Sequence, residues 1–598
     1  MLTEFELPAV VPAHETGNMT DHVLKNAAEV PDHVVMSVER EGTWVGVTAA
    51  EFLADVVAVA KGIVANGVQQ GERIAIMSRN RYEWTLVDYA IWYAGAVSVP
   101  VYETSSAEQV EWILTDSNAV AVFLESHKNK QVFDEVSVNV PECTRVWVFD
   151  DSVIDAIKAD GVDITDAALE ERRASVTPDS LATIIYTSGT TGRPKGCVLT
   201  QRAFMFEVDN VVEGLGDVFL APGSSTLLFL PVAHVFGRMV QLGCVRARAR
   251  LGHAADIKDL LPMLATFQPT FILAVPRVFE KIYNSSQQKA VAAGKGHIFD
   301  TAASVAIAYS TALEDGGPGL VLRLKHAVFD RLVYGKLRAA LGGQVRWAVS
   351  GGAPLGARLG HFFRGAGLTI LEGYGLTETS AATTVNRPSA IRIGTVGQPI
   401  PGARVKVAAD GELLLGGSQI FSGYWNNPTA TAEAIEPDGW FHSGDIGEID
   451  DRGFVRITGR KKELIVTAAG KNVAPAVLED RIRANWLVSQ CLVVGDARPF
   501  IAALVTIDVE AFPAWLKQAG KPSDATIADM ATDPDLLAAI QGAVDEGNKA
   551  VSHAEAIKKF AIMETDWTEE GGQMTPSLKL KRGVVMKECE AEIEVLYS

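Results

Sequence analysis

Short apolar runs and one helix signal organise the start of the chain. Residues 34–38 and 42–47 are two runs rich in Val, close enough together to predict a β-hairpin. Thr48 and Glu51 follow with the spacing of a capping box, which predicts that a helix begins there. The chain is therefore expected to open with two strands and a helix.

Continuous apolar runs next predict buried strands. Residues 73–77 and 97–101 lie on either side of a helical pattern at residues 84–94, which is the order of a βαβ unit. Further runs at residues 120–124 and 146–149 predict a second unit of this kind. An α/β fold is expected for this part of the chain.

The middle of the chain repeats the theme with strands that end in turns. Residues 227–230 and 271–275 are apolar runs that each stop at a proline. Residues 345–349 form a third run, which leads into the turn Ser350-Gly-Gly-Ala-Pro354. Each run is predicted to be a strand that delivers a loop to the surface of the sheet.

The pattern changes after residue 390. Turn residues are dense and strands are short between residues 391 and 459, which predicts a small β-barrel-like unit. A compact α/β pattern then runs to the C-terminus. We therefore expect a large N-terminal domain of stacked α/β subdomains plus a small β-barrel (residues 1–460) and a small, mobile α/β C-terminal domain (residues 461–598).

The segment 279–340 is mostly helical in pattern and carries several basic side chains. Basic stretches on helices are usually solvated faces, but a membrane-facing role is the alternative for an amphipathic helix. Peripheral membrane association is therefore kept as an expectation.

Composition and charge narrow the function classes. A chain of 598 residues exceeds one hydrophobic core, and a net charge of −19 without a wide basic face argues against a nucleic-acid partner. The five cysteines are scattered singly and match neither a disulfide framework nor a metal motif. The N-terminus carries no secretory signal, and no apolar run approaches the roughly 20 residues of a membrane span. A cytoplasmic protein is expected, either monomer or homodimer.

The strongest chemical signal follows a predicted strand at residues 181–186. The next residues are rich in Gly, Ser and Thr, so backbone N–H groups and hydroxyls can turn toward phosphate oxygens. The spacing differs from that of G-x-x-x-x-G-K-[ST]. The stretch predicts a polyphosphate site made of Thr187, Ser188, Gly189, Thr190, Thr191, Gly192 and Lys195.

This stretch, Tyr186 to Gly196, resembles the phosphate loop of the adenylate-forming superfamily, which includes acyl-CoA synthetases, luciferases and peptide-synthetase adenylation domains. Four further stretches match that superfamily: Ser350–Pro354, Gly373–Thr379, Gly439–Asp445 and Thr458–Val466. The resemblance runs from about residue 30 to the C-terminus. It implies a nucleotide site that also contains Gly351, Gly352, Ala353, Glu372, Gly373, Tyr374, Gly375, Thr377, Asp445 and Arg460, with Lys462 as the hinge between the two domains.

The chemistry of these residue types agrees with the implied roles. The ring of Tyr374 can stack on adenine, and Glu378 with Thr190 offers the oxygen ligands that Mg²⁺ prefers. Asp445 has two acceptor oxygens for the two ribose hydroxyls. Gly351 and Gly352 lack the Cβ atoms that would keep a flat base away.

The superfamily places a catalytic lysine near the C-terminus, commonly after Ser-Gly. The matching segment here is Met574–Arg582, in which Leu578 replaces the usual Gly, as in long-chain fatty-acyl-CoA synthetases. Alignment assigns the catalytic role to Lys579, together with Lys195 and Glu378. Lys581 remains an alternative, because two residues apart in an extended segment share a face.

The stretch 229–236 resembles the motif that lines the acid pocket, which implies that His234, Val235 and Phe236 bind the substrate; a core histidine is the alternative. The chain is most similar to bacterial long-chain fatty-acid–CoA ligases. Such a ligase uses ATP and Mg²⁺ to convert a fatty acid into acyl-AMP and then transfers the acyl group to coenzyme A. The alternatives are a fatty-acyl-AMP ligase that loads an acyl carrier protein and a nucleotide-binding protein without catalysis.

Overall fold

The computed structural model describes residues 1–187, 193–256, 259–468, 471–575 and 578–598. Helices and strands alternate through these ranges, so the predicted α/β class is confirmed. No helix within them combines the length and the apolar composition needed to cross a bilayer. All five cysteines are free and buried.

The first 187 residues contain the predicted hairpin and both βαβ units. Thr48 and Glu51 form the predicted capping box at the start of the second helix. The elements are β1 (Glu4–Glu6), α1 (Asp21–Glu29), β2 (Val34–Arg40), β3 (Thr43–Thr48), α2 (Ala49–Ala65), β4 (Arg73–Met77), α3 (Tyr82–Tyr93), β5 (Val97–Val101), α4 (Ala107–Ser117), β6 (Ala119–Leu124), α5 (His127–Val136), β7 (Arg145–Val148), α6 (Val153–Asp160), α7 (Asp166–Ala174) and β8 (Leu181–Thr187).

The middle of the chain adds more strands and a largely helical stretch, which confirms the helical prediction for residues 279–340. The elements are β9 (Lys195–Thr200), α8 (Gln201–Gly214), α9 (Gly216–Phe219), β10 (Ser225–Leu228), α10 (Val235–Ala247), β11 (Arg250–His253), α11 (Leu260–Phe267), β12 (Phe271–Ala274), α12 (Pro276–Ala292), α13 (Gly296–Glu314), α14 (Leu320–Phe329) with a π-helical turn at Asp330–Tyr334, α15 (Gly335–Ala340), β13 (Trp347–Ser350), α16 (Ala357–Gly365), β14 (Thr369–Tyr374) and β15 (Thr384–Val385).

Short strands and a compact tail complete the chain. The elements are β16 (Gln398–Pro399), β17 (Arg404–Val407), β18 (Glu412–Gly416), β19 (Gly423–Tyr424), α17 (Pro428–Ala434), β20 (Phe441–Ile449), β21 (Val455–Arg460), β22 (Ile465–Val466), β23 (Asn472–Val473), α18 (Pro475–Arg483), β24 (Val488–Val494), β25 (Ile501–Ile507), α19 (Phe512–Gln518), α20 (Ile527–Met530), α21 (Pro534–Asn548), β26 (Ile557–Ile562), α22 (Arg582–Glu588) and α23 (Glu590–Tyr597).

A seven-stranded sheet carries the two flanks of the predicted phosphate loop. Its order is β19-β9-β8-β5-β4-β6-β7, and β4 pairs in parallel with both β5 and β6. β8 and β9 pair antiparallel, with Thr187 opposite Lys195. The residues on both sides of the loop are therefore fixed by one hairpin of this sheet.

The ends of β10 show why apolar runs predict strand limits only approximately. Leu230 is buried and belongs to the predicted run, but the strand ends at Leu228. The side chain of Asn80 donates to the carbonyls of Leu228 and Leu230, and it accepts from the N–H of Val232. After Leu228, the side chain of Asn80 therefore bonds the backbone in place of a neighbouring strand, although Leu230 is as apolar as the strand residues.

The β-barrel-like unit predicted for residues 391–459 is a half-barrel. Its five strands have the order β1-β17-β18-β20-β21. The edge strand β1 comes from the N-terminus, where Phe5 pairs with Val405 and the N–H of Leu2 donates to Ile449. No strand was predicted there, because Glu-Phe-Glu has no apolar run and its partner lies about 400 positions along the chain.

The buried apolar side chains form four clusters. Two draw their members from residues 19–455, and two draw theirs from residues 465–596. The second pair of clusters covers the three-stranded sheet β24-β25-β26 and the helices around it. This separation supports a domain boundary near residue 460, which stays a proposal.

Candidate active site

Two parallel strands bring the glycine-rich turns together. β13 and β14 pair with Ser350 opposite Glu372, so the turns that follow them lie at one edge of the sheet. A Cβ on Gly351 would lie 3.3 Å from both the Gly373 carbonyl oxygen and the Phe236 ring. A Cβ on Gly375 would lie 1.7 Å from the Ala381 carbonyl oxygen, which no side chain tolerates. Close packing therefore requires glycine here.

Asp445 is held by partners on three elements. It lies opposite Arg460 across β20 and β21, with Arg460 Nε 2.9 Å from its Oδ1. The hydroxyl of Tyr374 donates to its Oδ2 at 2.6 Å, and its N–H donates to Ser443 Oγ at 3.0 Å. The residue is 2% exposed, so this carboxylate has one fixed orientation in the site. A ligand with a diol would share or replace the bonds to Tyr374 and Arg460.

Lys195 and Glu378 meet at Tyr424. The Lys195 ammonium lies 5.0 Å from the centre of the Tyr424 ring, and the Tyr424 hydroxyl donates to Glu378 Oε1 at 2.9 Å. Burial and the charge of Glu378 raise the pKa of Tyr424, so its hydroxyl stays protonated and remains a donor. A cation and a carboxylate are thus placed on one aromatic side chain beside the phosphate-loop hairpin.

Lys579 reaches the site from the C-terminal segment. Its Cε lies 3.6 Å from where a Cβ on Gly352 would be. Burial, and then the charge of Arg460, lower the pKa of Lys579 to about 8, while the charges of Asp445 and Glu378 act in the opposite direction. Its ammonium is therefore close enough to both carboxylates to feel their charge. Lys581 instead directly precedes α22, and its N–H donates to Gln573.

Leu578 has a backbone conformation that side chains rarely adopt. Its φ is +60°, in the left-handed region that favours glycine. This is the position at which the superfamily commonly has Gly, so the local conformation agrees with the superfamily pattern while the residue does not. Leu578 and Lys579 line a small cavity together with Val275, Pro276, Arg277, Glu280, Gly352, Ala353, Pro354, Arg483 and Gln490.

His234 is the N-cap of α10 and is neutral. Burial lowers its pKa to about 3, and the charge of Lys579 lowers it as well. Its Nδ1 accepts from the N–H of Phe236 at 3.2 Å, so the ring carries its proton on Nε2. Val235 is buried beside it in the first turn of the helix, and the Phe236 ring reaches Gly351. The predicted acid pocket therefore adjoins both the glycine turn and Lys579.

Glu372 is influenced by a carboxyl group of the C-terminal segment. Burial and, to a smaller extent, the charge of Asp480 raise its pKa to about 7, although its carboxylate accepts from the N–H of Leu355 at 3.0 Å. Burial likewise raises the pKa of Asp480 to about 6. Glu372 is thus a partly buried carboxyl group that is influenced by the charge of Asp480 on α18.

Ion pairs join the two parts of the chain around the site. On α12, Arg277 lies 2.9 Å from Asp508, and Lys281 lies 3.4 Å from Glu510. The Arg277 and Asp508 side chains are each 15% exposed, so this pair is largely shielded from water. These contacts hold the C-terminal segment in the position that places Lys579 beside Gly352.

Several predicted site residues do not take part in the contacts described above. Ser188, Gly189, Thr190, Thr191 and Gly192 lie outside the described residues, so the loop is represented by Thr187 and Lys195. Thr377 is buried in the short turn that contains Glu378, and Ala353 is exposed at the cavity. Lys462 is exposed in the turn after β21.

Tyr424 and Arg277 were missed. Neither belongs to a motif that the sequence presents as a unit, because each acts through a partner far along the chain. The pair of aromatic residues Tyr424-Trp425 directly after Gly423 was the available signal for the first. For Arg277 the only signal was a basic residue directly after the proline that begins α12.

The chain also matches known sequence families over most of its length. The profile of the AMP-binding enzyme family matches residues 23–425, and that of the AMP-binding enzyme C-terminal domain matches residues 462–598. The chain belongs to the AMP-binding enzyme family. The resemblance to adenylate-forming enzymes is thereby confirmed.

Relatives of this AMP-binding enzyme cover its full length. It is 50% identical, over 100% of both chains, to a Mycobacterium bovis protein named long-chain-fatty-acid–CoA ligase FadD15. It is 29% identical to long-chain-fatty-acid–CoA ligase ACSBG2 of Xenopus laevis, over 95% of this chain and 82% of the relative. The solved structure of the anthranilate CoA ligase AuaEII with anthranoyl-AMP has a TM-score of 0.74 at 18% identity, covering 98% and 99% of the two chains. That likeness shows a shared fold.

Proposed function

We propose that this enzyme is a long-chain fatty-acid–CoA ligase that forms AMP. The fatty-acid carboxylate attacks the α-phosphorus of ATP, pyrophosphate leaves, and an acyl-AMP mixed anhydride results. The thiol of coenzyme A then attacks the acyl carbon and AMP leaves, which gives the thioester. The observation that carries this proposal is 50% identity over the full length to a protein named for that activity.

The first step needs charge neutralisation and positioning, and the site residues fit this need. We assign Lys579 and Lys195 to the phosphate charge, because an ammonium group stabilises charge that develops during transfer. Asp445 is assigned to the ribose hydroxyls and Tyr374 to the adenine. His234 carries its proton on Nε2 and stays neutral, so it can donate to the carboxylate of the acid without a competing charge.

The donor set also fits a magnesium ion. Glu378 offers a carboxylate, the ligand type that Mg²⁺ prefers, and Tyr424 fixes its orientation through Oε1. The second proposed ligand, Thr190, lies outside the described residues. Bound with ATP, the ion would neutralise phosphate charge.

The two steps are proposed to use different domain arrangements. Lys579 lies in the proposed C-terminal domain (residues 461–598), while the groups it faces lie in residues 1–460. The present arrangement suits adenylation, because Lys579 is beside Gly352. Rotation about Lys462, which is exposed in the turn after β21, would withdraw Lys579 and admit the thiol. We further propose that the enzyme works in the cytoplasm and associates peripherally with the membrane.

The test is AMP release from the purified protein with ATP, Mg²⁺ and saturated acids of increasing chain length, with and without coenzyme A. We expect turnover that requires coenzyme A and is greatest with long-chain acids. Pyrophosphate release that is indifferent to coenzyme A, with acyl-AMP accumulating, would instead indicate an enzyme that loads an acyl carrier protein. No AMP release with any acid would reject both activities.

A further inference from the structure

Helix α14 exposes an apolar stripe to solvent. Leu320, Val321, Leu324, Val328 and Leu332 project from the helix and the π-helical turn after it, and each is between 52% and 78% exposed. The helix has no fully buried residue. The five positions follow helical spacing, so they share one side of the helix. Contiguous apolar surface of this kind marks a binding surface.

The opposite side of α14 is firmly attached to the protein. His326 Nε2 bonds to the Gly365 carbonyl at 2.6 Å, and the His326 ring stacks on Tyr309 with 3.9 Å between centres. The Tyr334 hydroxyl donates to the Ala302 carbonyl at 2.7 Å. The helix is thus anchored on α13 and on the end of α16. Its exposed stripe belongs to a packed helix that presents it outward.

Basic side chains flank the stripe. Residues 320–336 contain four Lys or Arg and one Asp, so their net charge is +3 in a chain whose net charge is −19. Arg323 and Lys325 lie on the two sides of the stripe, since they are placed before and after Leu324 on the helix. The single acid, Asp330, already pairs with Arg338 at 2.7 Å. The surface around the stripe therefore attracts anions.

We propose that α14 and its π-helical turn dock on the surface of an anionic lipid bilayer. Apolar side chains enter the boundary between head groups and acyl chains, while the long basic side chains reach the lipid phosphates. The choice of a bilayer as the partner rests on the proposed function, because a long-chain acid dissolves in a bilayer. Charge favours a bilayer over a second copy of this chain. A second copy is acidic overall, but its own α14 carries the same basic side chains beside the apolar stripe, and these would repel those of the first copy.

The experiment is co-sedimentation with vesicles of phosphatidylcholine alone or mixed with phosphatidylglycerol. We expect the full-length protein to bind the mixed vesicles and to be released by salt. Leu324→Ser/Val328→Ser should bind them at least about tenfold more weakly, since it removes two inserted side chains. Arg323→Glu/Lys325→Glu should bind mixed vesicles more than about tenfold more weakly, because each basic residue contributes roughly fivefold.

Matched controls change equally exposed residues elsewhere. Val138→Ser/Val162→Ser alters two side chains that are 81% and 76% exposed, and Lys128→Glu/Lys517→Glu reverses two exposed charges. Both control variants should bind mixed vesicles as the wild type does. All four variants should release AMP normally with a soluble, shorter-chain acid, which shows that they are folded.

Three outcomes would overturn the proposal. One is no binding of the wild type to mixed vesicles; another is equal loss in the α14 and control variants. The third is a wild-type dimer that Leu324→Ser/Val328→Ser converts to a monomer, with no vesicle binding, which would give the stripe to a second copy. Vesicle binding is measured without catalysis, so a protein that binds as expected but releases no AMP would reject the proposed function and leave the docking surface standing.

Discussion

Burial of the Lys579 ammonium group lowers its pKa. Its pKa is lowered to about 8, chiefly by burial and then by the charge of Arg460. A lysine in water titrates near pH 10.4, so this side chain loses its charge in a range where most lysines keep theirs. Because the proposed adenylation step uses that charge, the rate should follow the ionisation.

We predict that kcat/KM for adenylation is level below pH 8 and falls about tenfold per pH unit above it. The lowered pKa means that the charged form dominates below about 8 and is lost as the pH rises through that value. The measurement is ATP–pyrophosphate exchange between pH 6 and 10, with Lys581→Ala as the control that should keep the wild-type profile. A profile that stays level to pH 10 would contradict the role.

Substitution of Lys579 should affect the two half-reactions differently. We predict that Lys579→Ala lowers adenylation by roughly 10²- to 10³-fold, the cost of removing one preorganised charge. Conversion of supplied acyl-AMP and coenzyme A to thioester should change little, because Lys579 is proposed to be withdrawn for that step. Lys581→Ala should affect neither. Equal loss of both half-reactions in Lys579→Ala would reject the proposed division.

Substitutions of Leu578 test whether the backbone conformation at this residue positions Lys579 for adenylation. Its φ of +60° costs a side chain about 1–2 kcal/mol, and more for one branched at Cβ. We predict that Leu578→Val lowers adenylation several-fold by shifting Lys579, whereas Leu578→Gly keeps it. Leu580→Val is the control, because Leu580 forms an ordinary antiparallel bridge with Met574. The readout is ATP–pyrophosphate exchange, and equal effects of the two Val substitutions would count against the explanation.

At the scale of elements, a buried ion pair ties α10 to the seven-stranded sheet. Arg238 Nη2 lies 2.5 Å from Asp88 on α3, and both side chains are fully buried. The same guanidinium donates to Thr183 on β8 and to Ser98 on β5. His234 is the N-cap of α10, and β8 leads into the predicted phosphate loop. One guanidinium therefore positions the predicted acid pocket and the predicted phosphate loop relative to each other.

We predict that Arg238→Met destabilises the protein by about 3–5 kcal/mol, because it leaves Asp88 buried without its partner. The measurement is the midpoint of urea unfolding. Arg238→Met/Asp88→Leu should recover much of the loss, since neither charge then remains buried. Lys130→Met, which breaks the pair of Lys130 with the 52% exposed Asp134, is the control and should cost about 1 kcal/mol or less. A similar cost for both single substitutions would contradict the argument.

At the scale of the whole molecule, contacts between the two parts of the chain hold Lys579 in place. The shielded pair of Arg277 and Asp508 lies on the surface that a rotation about Lys462 would separate. Contacts present in only one arrangement shift the balance between arrangements by their own free energy. The pair should therefore matter for one half-reaction and not for the other.

We predict that Arg277→Ala lowers adenylation about three- to tenfold and leaves thioester formation from supplied acyl-AMP unchanged. Breaking a partly buried pair costs more than breaking an exposed one, so Lys281→Ala is the matched control and should have a smaller effect. Both half-reactions are measured separately for each variant. A loss of thioester formation equal to the loss of adenylation would show that the contact serves stability alone.

Local pattern was enough to predict much of the fold. The hairpin before Thr48, its capping box and the βαβ order of residues 73–101 depend on neighbours a few positions apart, and all are confirmed. The family and the α/β class are confirmed as well. The location of the site could also be predicted from the sequence. The flanks of the loop, the glycine turns and Asp445 each belong to a short motif that is recognisable by itself.

Tertiary structure alone decided what depends on distant partners. The pairing of Phe5 with Val405 and the contact of Tyr424 with Glu378 join residues that lie far apart in the chain. The pattern indicated a basic helical segment at residues 279–340, but only the structure shows which apolar side chains of α14 are exposed. Alignment favoured Lys579, but side-chain direction in an extended segment did not separate it from Lys581. In the structure, the turn at Leu578 places Lys579 beside Gly352, whereas Lys581 directly precedes α22. Short-range periodicity determines which elements form; burial, pKa and contact between charges arise only after the chain has folded, because they depend on what surrounds each group.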